Sequence, residues 1–530
     1  MALPANGIAW PPKELANVLP VLRTYGAWYS NETATLSSIY AQSASRPGLL
    51  QRIRTWFVGA KATESPDMAN IHISLAQEIC RTSANLLFSE PATAVIDAAE
   101  DDAEEKVSKA QERLDLITGP EFEQTIVSGA EISAALGGVF LRVTWDKATA
   151  EHVFISKVDA DMAWPTFHWG RLHTVTFWRT VKTEGQQITR HLEHHWKDNT
   201  GVGMVSHGLY EGTPDNLGHR VPFDAHDSTA WLAEPANAEL LINGDTLSTL
   251  TPGLAVEYAP NITPSALWRN DPVGAHLGRS DLEGIEQKLD ALDELYSSWL
   301  RDIRLGKGRL IVGESMLQDL GAGKGAGFDL DQSIFTPVKA APSSMGDSKM
   351  AIEKVQFEIR TDDFLTAIDH FRRIILTAAG YSPATFGMQD SSGAAVTATE
   401  VAAKAQTSYT TRKRKILGLK PAMERILTKA LAVDAQIFPA GVTPCPVRVD
   451  FADGIADDAE AVARQNQLDY SSQSASIEER VKRRNPSWDQ PEVDEEVARI
   501  RADFALEPLT DPTTFGEDGQ GLDPSLTPTG

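Results

Sequence analysis

Cysteine is nearly missing from this chain: there are two in 530 residues, Cys80 and Cys445. That excludes a disulfide framework, and a single bridge between such distant positions is not expected in a reducing cytoplasm. Long apolar runs are missing too. No stretch approaches the ~18 consecutive apolar residues of a membrane helix, so no membrane partner is expected. The opening MALPANGIAWPPKEL has no charged segment followed by an apolar one, so a secretory leader is not expected. Basic residues are in deficit, 49 against 73 acidic, a formal charge of −24. This argues against a conventional nucleic-acid binder, which displaces counterions from phosphates with clustered Lys and Arg. It leaves open an acidic wall past which DNA slides, and equally an acidic surface that only confers solubility.

The signatures of catalysis are also missing. GAGKGAG (321–327) is not a P-loop: Gly325 follows Lys324 where Ser or Thr should bind Mg²⁺, and Gln318 stands where the first Gly should be. It reads as a flexible loop. GRSDLEG (278–284) lacks the Gly two residues after Ser280 that a nucleophile elbow needs. In HLEHHW, strand alternation would project His191, Glu193 and His195 together, a weak metal signal against the plainer reading of an exposed polar face. No carboxylate pair, Ser/His/Asp set or Cys/His set has catalytic spacing. No cofactor, metal or catalytic residue is therefore expected.

Hydrophobic content of 42% with 23% charge is that of a globular chain with a sizeable core, and the length suits three or four domain-sized units. The pattern is mixed α+β and rich in helix. A helix is expected around 13–29. A helical period begins at Asn70 and stops at Pro91; residues 97–113 are polar, and 121–136 read as helix. GGVFLRVTW (137–145) reads as a strand, and short β-type segments follow between 151 and 260.

Three long helices stand out in the second half. The first has Ser280 and Glu283 as a capping box, then Leu282, Ile285, Leu289, Leu292, Tyr296, Trp299 and Ile303. Over 280–304 it would be a rod of about 37 Å. The second runs from Thr361 with the stripe Phe364, Ile368, Phe371, Ile375, Ala378, and Gly380 ends it. The third starts at Thr397, with Glu400 completing another capping box, and reaches about Leu431, Gly418 and Pro421 predicting a bend. Between the first two lies an insertion, 305–360, with the strand RLIVG (309–313). After them come a strand at 446–454, short helices at 456–469, 476–484 and 491–504, and a polar tail at 506–530 that reads as disordered. The run Arg412, Lys413, Arg414, Lys415 is the strongest basic patch, joined by Lys404, Lys420, Arg425 and Lys429. On an isolated helix it is a solvated face; repeated around a ring it becomes a positive band that meets DNA or a neighbouring subunit.

This order of parts resembles the tailed-bacteriophage portal protein family. VEYAPNITPSALWRNDPVGAHLGRSDLEGIEQKLDALDELYSSW (256–299) is similar to the family segment leading into the first rod, with its Pro-Asn, Gly-x-Ser-Asp and Leu-Asp steps. RLGKGRLIVG (304–313), SSGAAVTATEV (391–401) and SASIEERVKRRNPSWDQPEVDEEVARIRAD (474–503) resemble further family segments in the same order, so the resemblance spans roughly 65–505. It implies a subunit with a wing (1–279), a first stem helix (280–304), a clip (305–360), a second stem helix (361–381), a tunnel loop (382–397), a long bent helix linking wing and crown (398–440), a helical crown (441–505) and a tail (506–530). The tunnel-loop residues would be Gly387, Met388, Gln389, Asp390, Ser391, Ser392 and Gly393.

The resemblance further implies a non-enzymatic ring of twelve at one capsid vertex, the channel for DNA packaging and ejection. Its partners would be other copies of itself, the terminase large subunit, the head–tail connector, the major capsid protein and scaffold, and double-stranded DNA passing without sequence specificity. It would reside in the virion and assemble in the host bacterial cytoplasm. Rods with apolar stripes must cover them, and a ring supplies neighbours repeatedly. The rival readings are another head–tail adaptor and a metal-dependent hydrolase.

Overall fold

The computed structural model describes residues 3–36, 71–98, 103–147, 149–234, 241–305, 360–388, 398–438, 441–452, 475–485, 488 and 490–505, with short pieces at 309–311, 318–319, 326–327, 353–355 and 467–468. The chain divides into two compact units, at residue 454. In the first, α1 (Leu19–Ser30), α2 (Leu75–Leu87), β1 (Thr93–Ile96), α3 (Glu104–Ile117) and α4 (Pro120–Leu136) precede a run of strands. Pro120 pre-sets the first turn of α4, and Gly137, at φ +83°, ends it in the left-handed conformation.

The strands are β2 (Gly138–Thr144), β3 (Phe154–Asp159), β4 (Ala163–His168), β5 (Arg171–Glu184), β6 (Gln187–Lys197), β7 (Val202–Thr213), β8 (Asn216–Val221), β9 (Thr246–Pro252) and β10 (Val256–Pro260). They form two antiparallel sheets. One has the order β10-β2-β3; the other has the order β4-β5-β6-β7-β8, with β9 also on β7. The segments expected to be short are therefore long strands of one meander. β2 reads as a continuous apolar run because both its faces are covered: Val139, Leu141 and Val143 meet α3, α4 and the later helix Ala398–Ile437, while Phe140 faces α2 and the larger sheet.

Next come α5 (Glu286–Leu305), the short strands β11 (Arg309–Ile311), β12 (Gln318–Asp319), β13 (Ala326–Gly327) and β14 (Glu353–Val355), then α6 (Thr361–Ala379), α7 (Ala398–Ile437) and β15 (Val447–Asp450). β11 pairs antiparallel with β14, so the insertion leaves α5 and returns to α6 through one ladder. β15 pairs with β1. In the second unit, α8 (Ile477–Arg484) and α9 (Gln490–Ala505) pack through Val481, Val493 and Val497. Ser476 caps α8 by accepting from the Glu479 amide. Most of the helix expected at 456–469, most of GAGKGAG, Thr397 with its capping box, and the tail lie outside the described residues.

Four expectations are corrected. The first rod starts at Glu286, not Ser280, and is about 30 Å long. Gly284, at φ +83°, breaks the helical path. Ser280 and Glu283 do not form a capping box either: the Ser280 hydroxyl donates to Ala135 O at 2.5 Å, and the Glu283 carboxylate accepts from Ser265 Oγ. The third helix runs unbroken past Pro421 to Ile437, beyond Leu431, because Leu431 and Val433 continue its buried stripe. Lastly, the rods cover much of their stripe inside one subunit. Leu289 and Leu292 of α5 share a core with Ile368, Ile375 and Leu376 of α6, and Trp299 stacks on Phe364 at the far end, so the two helices run antiparallel. Ile303, Leu365 and Ile374 stay exposed. Among the described residues no helix is long and apolar enough to cross a membrane, and Cys80 and Cys445 are both free and buried.

Candidate functional site

The segments that enter and leave the two rods meet in one buried polar cluster. Asp281, five residues before α5, is fully buried; its Oδ2 accepts from Lys415 Nζ of α7 at 2.6 Å and from the Tyr381 hydroxyl, just after α6, at 2.7 Å. Its Oδ1 accepts from Asn261 Nδ2 at 2.8 Å. Lys415 also donates to Ser83 Oγ of α2 at 2.6 Å. Burial pushes the Lys415 ammonium below its ordinary pKa, against the opposing pull of Asp281. The Pro-Asn and Gly-x-Ser-Asp steps of the sequence thus have one explanation. Asn261 and Asp281 bond each other, Ser280 holds the carbonyl end of α4, and Gly278 lets the chain pass against Gly137.

The base of the candidate loop is fastened to the same stretch of α7. Gly380, at φ +94°, caps α6, and its carbonyl accepts from Thr411 Oγ1 at 2.5 Å. The Ser382 amide donates to Ser408 Oγ at 2.9 Å, and Thr385 Oγ1 lies 2.8 Å from the same hydroxyl. A 3-10 turn, Pro383–Phe386, leads to Gly387 at φ +72°, and Met388 packs against the main core. Gly387 and Met388 are therefore placed; Gln389, Asp390, Ser391, Ser392 and Gly393 lie outside the described residues.

The basic run divides by helical face. Arg412 and Lys415, three apart, are buried; Lys413 and Arg414 are exposed. Arg412 donates to Leu86 O at 2.7 Å and Ala452 O at 2.6 Å, satisfying a carbonyl that the end of α2 leaves open. Arg414 reaches Thr263 O at 3.2 Å. Farther along, Arg425 pairs with Glu257 and Lys420 with Glu424 and Asp450. The Lys429 ammonium is spanned by the carbonyls of Thr251, Pro252 and Gly253, and burial lowers its pKa to about 8. A signal for the inward pair was present in the sequence. Ser408, Thr411, Arg412 and Lys415 continue, at steps of three and four, the stripe Leu419, Ala422, Met423, Ile426.

The histidines of β6 do share a face, but it is buried rather than exposed. His191, Glu193 and His195 line a cavity of ≈ 480 Å³ between the two sheets, with His207 of β7, Phe177 and Arg179 of β5 and Arg142 of β2. Burial alone would raise the Glu193 carboxyl; its ion pair with Arg142 and the bond from His195 hold it well below the ordinary range. Among the described residues no group of three or more His, Cys, Asp or Glu could hold a metal ion.

Burial lowers His191 to about 3, and His194 and His207 to about 4. Between those values and 6.5 the unfolded chain takes up protons that the folded chain refuses, so stability present above pH 6.5 is lost on acidification toward pH 4. Asp161, raised by burial to about 6, opposes this with one proton. A net uptake of roughly two protons corresponds to about 3 kcal/mol per pH unit at the steepest. Urea midpoints at pH 7, 5.5 and 4.5 should fall in that order, and less steeply in His207→Gln. A midpoint that does not move would show the imidazoles are not the groups titrating.

A family model described as phage portal protein, SPP1 Gp6-like, matches residues 51–503, which is most of the chain. No curated protein matches it.

Proposed function

We propose, from the premise that the chain belongs to the SPP1 Gp6-like family of phage portal proteins, that twelve copies close into a ring at one capsid vertex and form the channel through which double-stranded DNA is packaged and ejected. Membership carries ring assembly, association with capsid and DNA, a place in the virion and a structural rather than enzymatic role. In the finer reading, residues 1–279 are the wing, 280–304 and 361–381 the stem, 305–360 the clip, 382–397 the tunnel loop, 398–440 the connecting helix and 441–505 the crown. The clip meets the terminase large subunit during packaging and the head–tail connector afterwards. The major capsid protein and scaffold surround the ring as it assembles in the host cytoplasm.

The observation that carries this reading is the antiparallel pair α5 and α6, fastened at one end to α7 by the Asp281–Lys415 cluster together with the base of the 382–397 loop. Such an arrangement holds a loop firmly at its root. A neighbouring copy would also meet needs the single subunit leaves open. Ile303, Leu365 and Ile374 are exposed on the two rods, and the Trp299 indole N–H is buried without an acceptor among the described residues. Lys413 and Arg414 are the exposed members of the basic run and would contribute to a positive band on each copy, Arg414 while also donating to Thr263 O.

Electron microscopy of the purified protein should show rings with a central hole; a chain that remains monomeric at high concentration would overturn the proposal. Deleting 387–393 should leave rings intact while DNA packaging or retention fails. Unchanged packaging in that variant would remove the loop from the channel.

A further inference from the structure

β4 and β5 are joined by two residues only, Trp169 and Gly170, between the paired His168 and Arg171. Both have positive φ, +53° and +74°, the combination of a type I′ hairpin turn. Gly170 adopts this freely. Trp169 occupies a position where Asn or Gly is usual, because a side chain there crowds the backbone. Nothing among the described residues of its own subunit compensates, since the residue is 98% exposed. Beneath it His168 and His173 stack with ring centroids 3.9 Å apart, which stiffens the hairpin tip. A rigid, exposed, strained aromatic is well suited to anchor another surface.

The cavity between the sheets has the complementary chemistry. Met162, Arg179 and Trp231, all exposed, stand among its lining residues, with Phe177 and Trp178 behind them. Nine residues of extended β5 separate Trp169 from Trp178 in the cavity wall, roughly 30 Å, so Trp169 cannot reach the cavity of its own chain.

We propose that Trp169 of one copy seats in this cavity of the next, its indole against the exposed Met162 and Trp231 and under the Arg179 guanidinium. Tip and cavity are different surfaces, so the contact is head-to-tail, the kind that can close a ring. It rests on the ring assembly proposed above and adds a second interface, on the sheets rather than on the rods.

The test uses Arg171→Cys combined with Met162→Cys, one beside the tip and one at the cavity, with Trp169 kept. The native thiols are buried and do not interfere. Oxidised samples that show rings by electron microscopy should give a ladder of covalent multimers on a non-reducing gel. Neither single variant should do so, and adding Trp169→Asn should abolish it. Trp169→Asn alone suits the turn, so the thermal midpoint of its unassembled subunit should not fall below that of the unassembled wild type, while its ring yield at fixed concentration drops about tenfold or more. Rings without a ladder overturn the contact and leave the portal reading standing, as does a normal ring yield in Trp169→Asn. A double variant that is folded but forms no rings, matched by a wild type that forms none, overturns both.

Discussion

Lys415→Met is expected to cost the subunit about 3–5 kcal/mol, because it leaves the Asp281 carboxylate buried without its cation. The pair itself contributes little net energy, since taking two charges out of water offsets most of their attraction; the large effect comes from stranding one of them. Tyr381 and Asn261 would still donate to Asp281, but neutral donors do not replace an ammonium 2.6 Å away. Adding Asp281→Asn should recover part of the loss, because an amide can still accept from Tyr381 or Asn261 and carries no charge. Urea unfolding at one protein concentration measures this, the concentration being held because association between copies stabilises any protein that undergoes it. A loss in Lys415→Met below about 1 kcal/mol, or a double variant as damaged as the sum of the singles, would mean that the cluster does not fasten the rods.

Gly278→Ala should be as damaging, for a steric reason. A Cβ at Gly278 would lie 2.1 Å from Gly137 O and 2.8 Å from the Asn261 amide nitrogen. Neither partner can retreat cheaply. Gly137 is itself at φ +83°, its carbonyl accepts from Asn261 N at 2.9 Å, and three residues earlier Ala134 O accepts from Asp281 N at 2.8 Å. Backbone would have to separate from backbone where the rod is docked, with an expected cost of about 3 kcal/mol or more. Gly284, six residues on, is the control. It has φ +83° but nothing within 4 Å of a would-be Cβ. Gly284→Ala should cost only the conformational penalty, about 1 kcal/mol. Equal midpoints for the two variants would show that the close approach of 137 and 278 is not a constraint.

The His-lined cavity shows why parts of the site could not be read in advance. Alternation along β6 puts His191, Glu193 and His195 on one side, and that side is common to all three. What alternation cannot give is what lies opposite. The smaller sheet covers this face and supplies Arg142, fifty-one residues earlier, as the partner of Glu193. A polar strand face is exposed or buried according to the layer above it, which is a property of topology. RKRK divides for a related reason. Its periodicity placed Arg412 and Lys415 in line with the apolar stripe, yet their acceptors Leu86, Ala452, Ser83 and Asp281 come from distant segments.

Local chemistry determined the elements whose causes are local. Gly380 and the carboxylates at its start bound α6, apolar steps of three and four marked α5 and α7, and alternation marked β5 to β7. The succession of these elements, with Pro260-Asn261 and Gly278-x-Ser280-Asp281, was enough to indicate the family. Only the tertiary structure decided that Ser280 pins α4 instead of capping α5, that the first rod waits for Glu286, that the rods cover much of their stripe on each other, and that a lysine from a basic run is a buried counter-ion. Each of these depends on contacts between residues more than sixty positions apart or on the backbone angle at Gly284, and a pattern confined to neighbouring residues carries no record of either.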